Sequence, residues 1–334
     1  VALGKVRNMY RNLILNRIKV AEFAVTNACI AKCSFCDIWK QQPKVFVERE
    51  KALEAIDRIA DLGTVHLTIT GGEPLLHPHV VDFVRRATER KMHTAVLNAA
   101  PQLLLRDDIV QKLKDAGTDM ICISLDSGDP VTMAQSRQIP NIMEDIASAV
   151  ELVRKIKVKT MASILIWNDN YDKLDEVCIR AKKMGFDFIS LNYPTFSQST
   201  VYPLGGEGIS LSRDKVIHGL QSAIKLRNSG KYGIINTAVS MKNIIKFLED
   251  PKKVSYPCLG GKKVFFVDWF YNVHPCMQIS RVLGSIFDIK AEGFKNPSCN
   301  QCNMSWYRDF SAMFQGLKSI PVWMQSLEGY RALK

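Results

Sequence analysis

Residues 20–36 read VAEFAVTNACIAKCSFC, an apolar run of strand length that ends in three cysteines, Cys29, Cys33 and Cys36. Outward from it, apolar runs of similar length recur at 65–70, 93–97, 119–125, 159–166 and 187–191. Between them lie segments with helically spaced apolar positions, at 47–62, 78–91, 106–116, 141–156 and 171–184, often closing on glycine or a basic residue. A repeated βα unit implies a parallel sheet with right-handed crossovers, and six such units can curl into an open barrel. The fold expected is therefore α/β, a partial (β/α)6 barrel over residues 20–232, with ligands gathered at the carboxyl ends of its strands.

The flanks read differently. Residues 1–19 place Val6, Met9, Leu13 and Ile18 among basic residues, as an amphipathic helix would. Such a helix either docks on the barrel or makes peripheral contact with a membrane surface or a substrate. The glycine-rich stretch 202–212 (YPLGGEGISLS) reads as a long loop, followed by helices at 213–229 and 239–248, the latter in a helical linker over 233–254. From residue 255 the texture turns rich in Cys, Gly and aromatics, with a strand signal at 263–268, and a small second domain is expected over 255–334.

A chain of 334 residues with 47% apolar and 23% charged residues is an ordinary globular composition. The net charge of +12 favours an anionic partner. No recognised binding motif accompanies that charge, so no nucleic acid is expected. No apolar stretch is long enough to span a bilayer and no signal-peptide core is present, so a cytoplasmic location is expected. Nine cysteines there read as metal ligands or buried thiols. Cys122 and Cys178 stand alone and read as small buried hydrophobes.

Three thiolates on a cubane [4Fe–4S] cluster leave one iron open, whereas a structural zinc site takes four protein ligands. Cys258, Cys276, Cys299 and Cys302 form a second set, enough to close a four-thiolate site holding either zinc or an iron–sulfur cluster. Phe270, Tyr271, Trp306 and Tyr307, close to these cysteines, read as core of the small domain rather than as pocket lining.

The CxxxCxxC spacing, with Phe35 before its last cysteine, resembles the motif of the radical S-adenosylmethionine (SAM) superfamily. Gly71-Gly72-Glu73-Pro74, after the second strand, is similar to that family's GGEP motif. The resemblance implies that these residues receive the SAM amino group. It likewise assigns Ser124 and Asp126 to the ribose, Arg137 and Ser163 to the SAM carboxylate, and Asn192 to the adenine, with Asn98 a further candidate. The C-terminal region resembles the SPASM and Twitch extensions, and four cysteines suit the shorter Twitch form with one auxiliary [4Fe–4S] cluster. Tyr271 stands where such relatives carry a turn glycine.

What the resemblance implies is reductive cleavage of SAM to a 5′-deoxyadenosyl radical, which takes hydrogen from an unactivated carbon. A flavodoxin or ferredoxin would supply the electron. The auxiliary cluster suggests a net oxidation, as in a dehydrogenase, although transferase outcomes fit as well. The expected substrate is a small molecule that is anionic, lipid-like or tetrapyrrole-like. The short segment ahead of the cysteines disfavours the alternative, a peptide- or protein-modifying maturase. A non-catalytic iron–sulfur electron carrier is the reading from another class, and it leaves the GGEP motif unexplained.

Overall fold

Six parallel strands appear in the expected order in the computed structural model, which describes residues 2–194, 211–250, 252, 258–290, 294, 304–314 and 319. They are β1 (Lys19–Ala24), β2 (Thr64–Thr70), β3 (His93–Asn98), β4 (Met120–Ser124), β5 (Lys159–Leu165) and β6 (Phe188–Asn192), each paired with the next. The crossovers carry α2 (Arg49–Asp61), α3 (Val80–Glu89), α4 (Ile109–Asp115), α5 (Pro130–Arg137), α6 (Ile142–Lys155) and α7 (Leu174–Met184). Glu48 caps α2 by accepting from Glu50 N and Lys51 N, and α7 stops at Gly185 with φ 90°. The βα repeat is thus a partial barrel.

Helix α5 was not foreseen. It buries only Met133, Ser136 and Arg137, two of them polar, so its apolar period is too weak to read. Its start is nonetheless well specified, because Asp129 accepts from Thr132 N at 2.8 Å and Pro130 opens the first turn. Most of the expected loop at 202–212 lies outside the described residues. Beyond it come α8 (Arg213–Asn228) and α9 (Ala238–Glu249), capped by Ser212 and Thr237.

Alternation along the strands separates two cores. Ala21, Phe23, Leu67, Ile69, Ile121, Ile123 and Ile164 face the helices in one large cluster. Ala95, Cys122 and Met161 form a small cluster on the other face, inside the barrel. Cys122 and Cys178 are buried in apolar surroundings, as expected.

The amino ends of the strands are fastened by a device used twice. Asp119 accepts from Thr94 N at 2.8 Å, and Asp187 accepts from Thr160 N at 2.9 Å and Thr160 Oγ1 at 3.1 Å. Helix α1 (Ala2–Ile14) lies beneath this end. Lys5 reaches Asp119 and donates to Gly117 O at 3.1 Å, while Asn8 Nδ2 donates to Lys91 O at 3.0 Å. Among the described residues no helix is long and apolar enough to cross a membrane.

The region after residue 255 departs from expectation, because its strands extend the barrel's sheet instead of forming one of their own. β7 (Val264–Val267) pairs in parallel with β1, and β8 (Asn272–His274) and β9 (Gly284–Ser285) follow antiparallel, giving the order β6-β5-β4-β3-β2-β1-β7-β8-β9. All four residues of β7 are buried, which suits a strand covered on both faces at the otherwise open edge of β1. The β7–β8 turn holds Tyr271 at φ +66°, the left-handed conformation that a glycine would adopt without strain. Its ring packs against Phe23 and Phe287, which gives the larger side chain a reason to be there.

Helix α10 (Ser305–Met313) packs against both β6 and β7, and so spans the two sides of the open barrel. Tyr307 Oη donates to Glu22 Oε2 at 2.8 Å, and Ser305 Oγ to Asn192 Oδ1 at 2.8 Å. Asp309 accepts from Asn236 Nδ2 at 2.9 Å and Thr237 N at 2.8 Å, and Asn236 in turn pairs with the backbone of Leu191 in β6.

Candidate active site

Beyond β1 the chain enters the first cysteine loop, which is joined by backbone bonds to the segment leaving β2. Gly72 N donates to Thr26 O at 2.8 Å and Glu73 N to Ala28 O at 2.8 Å. A Cβ on Gly71 would fall 2.3 Å from Thr26 O, and one on Gly72 would fall 2.2 Å from Ala28 O. The lack of a side chain at both glycines thus lets the segment leaving β2 pack directly on the cysteine loop. From the opposite side α5 supports the same loop, with Lys32 N donating to Arg137 O at 3.1 Å and Ser34 N to Ser136 O at 2.9 Å.

Cys33 is buried, and Cys29 and Cys36 are half-buried. Burial pushes the Cys29 thiol up to about 12, with Glu73 and the other two thiols adding to the rise. It pushes Cys36 up to about 11, and it raises Cys33 too, against the pull of the Arg137 guanidinium. Three thiols whose ionisation burial opposes need a cationic centre to become thiolates together. A [4Fe–4S] cluster with one open iron fits this donor set.

Around the loop stand the polar residues singled out from sequence. Glu73 is fully buried, and its carboxylate accepts from Leu75 N at 3.0 Å, Ala99 N at 2.7 Å and Ala100 N at 2.9 Å. Burial raises it to about 7 against the pull of those donors. Pro74 opens the short 3₁₀ turn that Glu73 caps. Asn98 donates to Ala100 O at 3.1 Å, and its Oδ1 is buried without a partner among the described residues. An acceptor so placed fits an ammonium or hydroxyl donor of a bound molecule.

Asp126 and Arg137, expected as separate SAM contacts, are brought together. Arg137 Nε donates to Asp126 Oδ2 at 2.9 Å, Nη2 donates to the same oxygen, and Nη1 lies 3.8 Å from Cys33 Sγ. The second Asp126 oxygen accepts from Leu165 N at 2.8 Å. Both carboxylate oxygens are therefore engaged within the protein, and Asp126 acts as a tie between β4, β5 and α5. Phe35 lies under Arg137, 5.4 Å from ring centroid to guanidinium, and meets Trp167 edge-on at 5.5 Å. Ser124, Ser163 and Asn192 lie half-buried at the ends of adjacent strands, with Asn192 Nδ2 donating to Ser163 Oγ at 3.0 Å.

Of the second cysteine set, Cys258 and Cys276 lie beside Gly260, whose added Cβ would come 3.2 Å from Cys258 Sγ and 3.1 Å from Pro275 O. Cys299 and Cys302 lie outside the described residues. Of the four aromatics, Tyr307 is fully buried, Trp306 and Tyr271 are packed, and Phe270 is 62% exposed. Phe270 lines a cleft of about 330 Å³ with Asn27, Gln41, Gln42, Pro43, Asp268 and Trp269.

Sequence reading missed Glu22, a carboxyl inside the barrel that burial raises to about 7, and Asp309, raised by burial to about 6. The signal for Glu22 was its single charge within the apolar run VAEFAV. Nothing local marked Asp309.

Residues 23–181 match the family model described as the Radical SAM superfamily. The chain is 26% identical over 288 residues to an AdoMet-dependent heme synthase of Methanosarcina barkeri, covering 81% of this chain and 80% of that protein. It is 23% identical to a PqqA peptide cyclase of Granulibacter bethesdensis over 48% of this chain and 43% of that one. Among solved structures, Streptococcus suis SuiB bound to S-adenosylmethionine superposes with a TM-score of 0.65 at 13% identity, over 88% of this chain and 71% of SuiB. The anSMEcpe protein with bound AdoMet gives 0.60 at 15% identity, over 95% of this chain and 98% of that one. Residues 23–181 therefore carry a radical SAM domain, a domain whose family members are enzymes.

Proposed function

We propose that this enzyme cleaves SAM reductively and uses the resulting radical to take hydrogen from an unactivated C–H bond of a small anionic substrate of tetrapyrrole or similar polycarboxylate type. The observation that supports the first part is the placement of Cys29, Cys33 and Cys36 in the loop after β1, joined by backbone bonds to the Glu73 segment after β2 and to α5, with Arg137 Nη1 3.8 Å from Cys33 Sγ. When bound, the cluster and SAM supply the electron transfer and the carbon–sulfur cleavage. The chain's own task is positioning. Asn98, Ser124, Ser163 and Asn192 present hydrogen-bonding groups to SAM, Arg137 sets positive charge beside Cys33, and α10 closes the barrel against water.

The substrate class rests on the net charge of +12 and on the resemblance to the heme synthase over 81% of this chain. An auxiliary [4Fe–4S] cluster on Cys258, Cys276, Cys299 and Cys302 belongs to the same reading and would act as electron relay or anchor. A flavodoxin or ferredoxin would reduce the first cluster.

Anaerobic incubation with SAM and dithionite tests the chemistry. The expected result is 5′-deoxyadenosine from the wild type and none above background from Cys33→Ala. A Cys33→Ala enzyme that still forms it would sink the assignment. A tetrapyrrole carboxylate should stimulate that formation, and stimulation by a peptide instead would move the reading to peptide modification. Iron analysis giving about four irons per chain would remove the auxiliary cluster.

A further inference from the structure

We infer that α1 is a membrane-surface helix that seats the protein on an anionic bilayer through the face of the barrel opposite the cysteine loop. Leu3, Val6, Tyr10, Leu13 and Ile14 follow helical spacing and fall on one side of α1, where they are 88%, 52%, 64%, 42% and 65% exposed. Single exposed apolar side chains are ordinary, but five in one stripe form a patch. The opposite side of the same helix is occupied. Lys5 and Asn12 are buried there, and Lys5 ties the helix to Asp119 and Gly117. The apolar stripe is therefore held outward by a docked helix, not by a free peptide.

Charge selects the occupant. Residues 1–19 contain three arginines, two lysines and no acidic residue. Arg7 and Arg11 are exposed beside the stripe, and Lys91 packs its chain along Gly4. A second copy of the chain would set these cations against their own kind, whereas anionic headgroups neutralise them while the acyl boundary takes the stripe. The seat lies under the amino ends of β2 to β4, which leaves the carboxyl-end site facing away from the bilayer. The inference does not depend on the substrate reading.

Flotation of the full chain with phosphatidylcholine vesicles, with and without about one third phosphatidylglycerol, tests it. The wild type should float with the anionic vesicles only and lose about tenfold in binding when salt is raised to about 1 M. Val6→Glu with Tyr10→Glu should lower binding by about tenfold or more with an unchanged circular dichroism spectrum. Arg7→Glu with Arg11→Glu, both at exposed positions, should do the same and serves if the first pair misfolds. Equal flotation with both vesicle types, no flotation of the wild type, or undiminished flotation of both variants overturns the proposal. A wild-type dimer that these substitutions split, without flotation, would assign the stripe to a second copy instead.

Discussion

At the amino end of the barrel Asp119 and Asp187 accept from Thr94 and Thr160, and Lys5 and Lys159 complete the pairs at a partly wetted surface. At the carboxyl end the ionisable groups are sunk deeper: Glu73 and Asp126 are fully buried, Arg137 nearly so, and the three thiols are pushed upward by burial. Asn98 Oδ1 there has no partner among the described residues. One end spends its polar groups on holding strands together, and the other keeps costly groups where a ligand can use them. The division matches the general rule that barrels place stability below and chemistry above.

The sharpest way to break the contrast is Arg137→Met. It leaves Asp126, which is 0% exposed, as a buried carboxylate without its cation, and should cost about 3–5 kcal/mol in urea melts of the apo chain. Arg137→Lys should recover only part of the loss, because one ammonium replaces two parallel N–H donors. Full recovery with lysine would show that charge alone matters at this position.

Glu22 tests the same idea inside the barrel. Its carboxyl is near 7 in the folded chain against 4.5 for an exposed glutamate, because burial favours the protonated form. A raised acid stabilises the fold below its unfolded value, and that stability is lost as pH rises through the folded value. Stability should therefore fall by about 3 kcal/mol between pH 4.5 and about 7 through this group, and Glu22→Gln should remove that part of the slope. Denaturant melts at a series of pH values check it, and an identical slope in the variant would place the proton elsewhere. The smallest effect is expected at the amino end. Lys5→Met should cost about 1–2 kcal/mol, since Asp119 remains 36% exposed and water can replace the lost cation.

Much of the fold was legible because its signals are local. Each barrel strand is an apolar run, and each of the crossover helices other than α5 shows its period. The cysteine spacing, the glycines before Glu73 and the anomalous Tyr271 are all contained within a few residues. Tyr271 shows the strength of such reading: an ill-fitting residue at a turn position turned out to hold φ +66°. What escaped was non-local or weakly periodic. Helix α5 buries two polar residues, Ser136 and Arg137, and one apolar one, so it shows no apolar stripe, yet it supports the cysteine loop. Asp126 and Arg137 were both expected as SAM contacts, and only their approach in space shows that they pair with one another.

A βα barrel with three cysteines at the exit of its first strand was legible in the sequence alone, because strand, turn and ligand spacing are properties of short segments. Tertiary structure alone decided that β7 continues the sheet from β1 and that α10 spans the barrel to place Tyr307 on Glu22. It also decided that the apolar stripe of α1 faces outward. These depend on pairings between residues up to 285 positions apart, where edge hydrogen bonds, burial and charge are satisfied jointly and leave no mark in either segment alone.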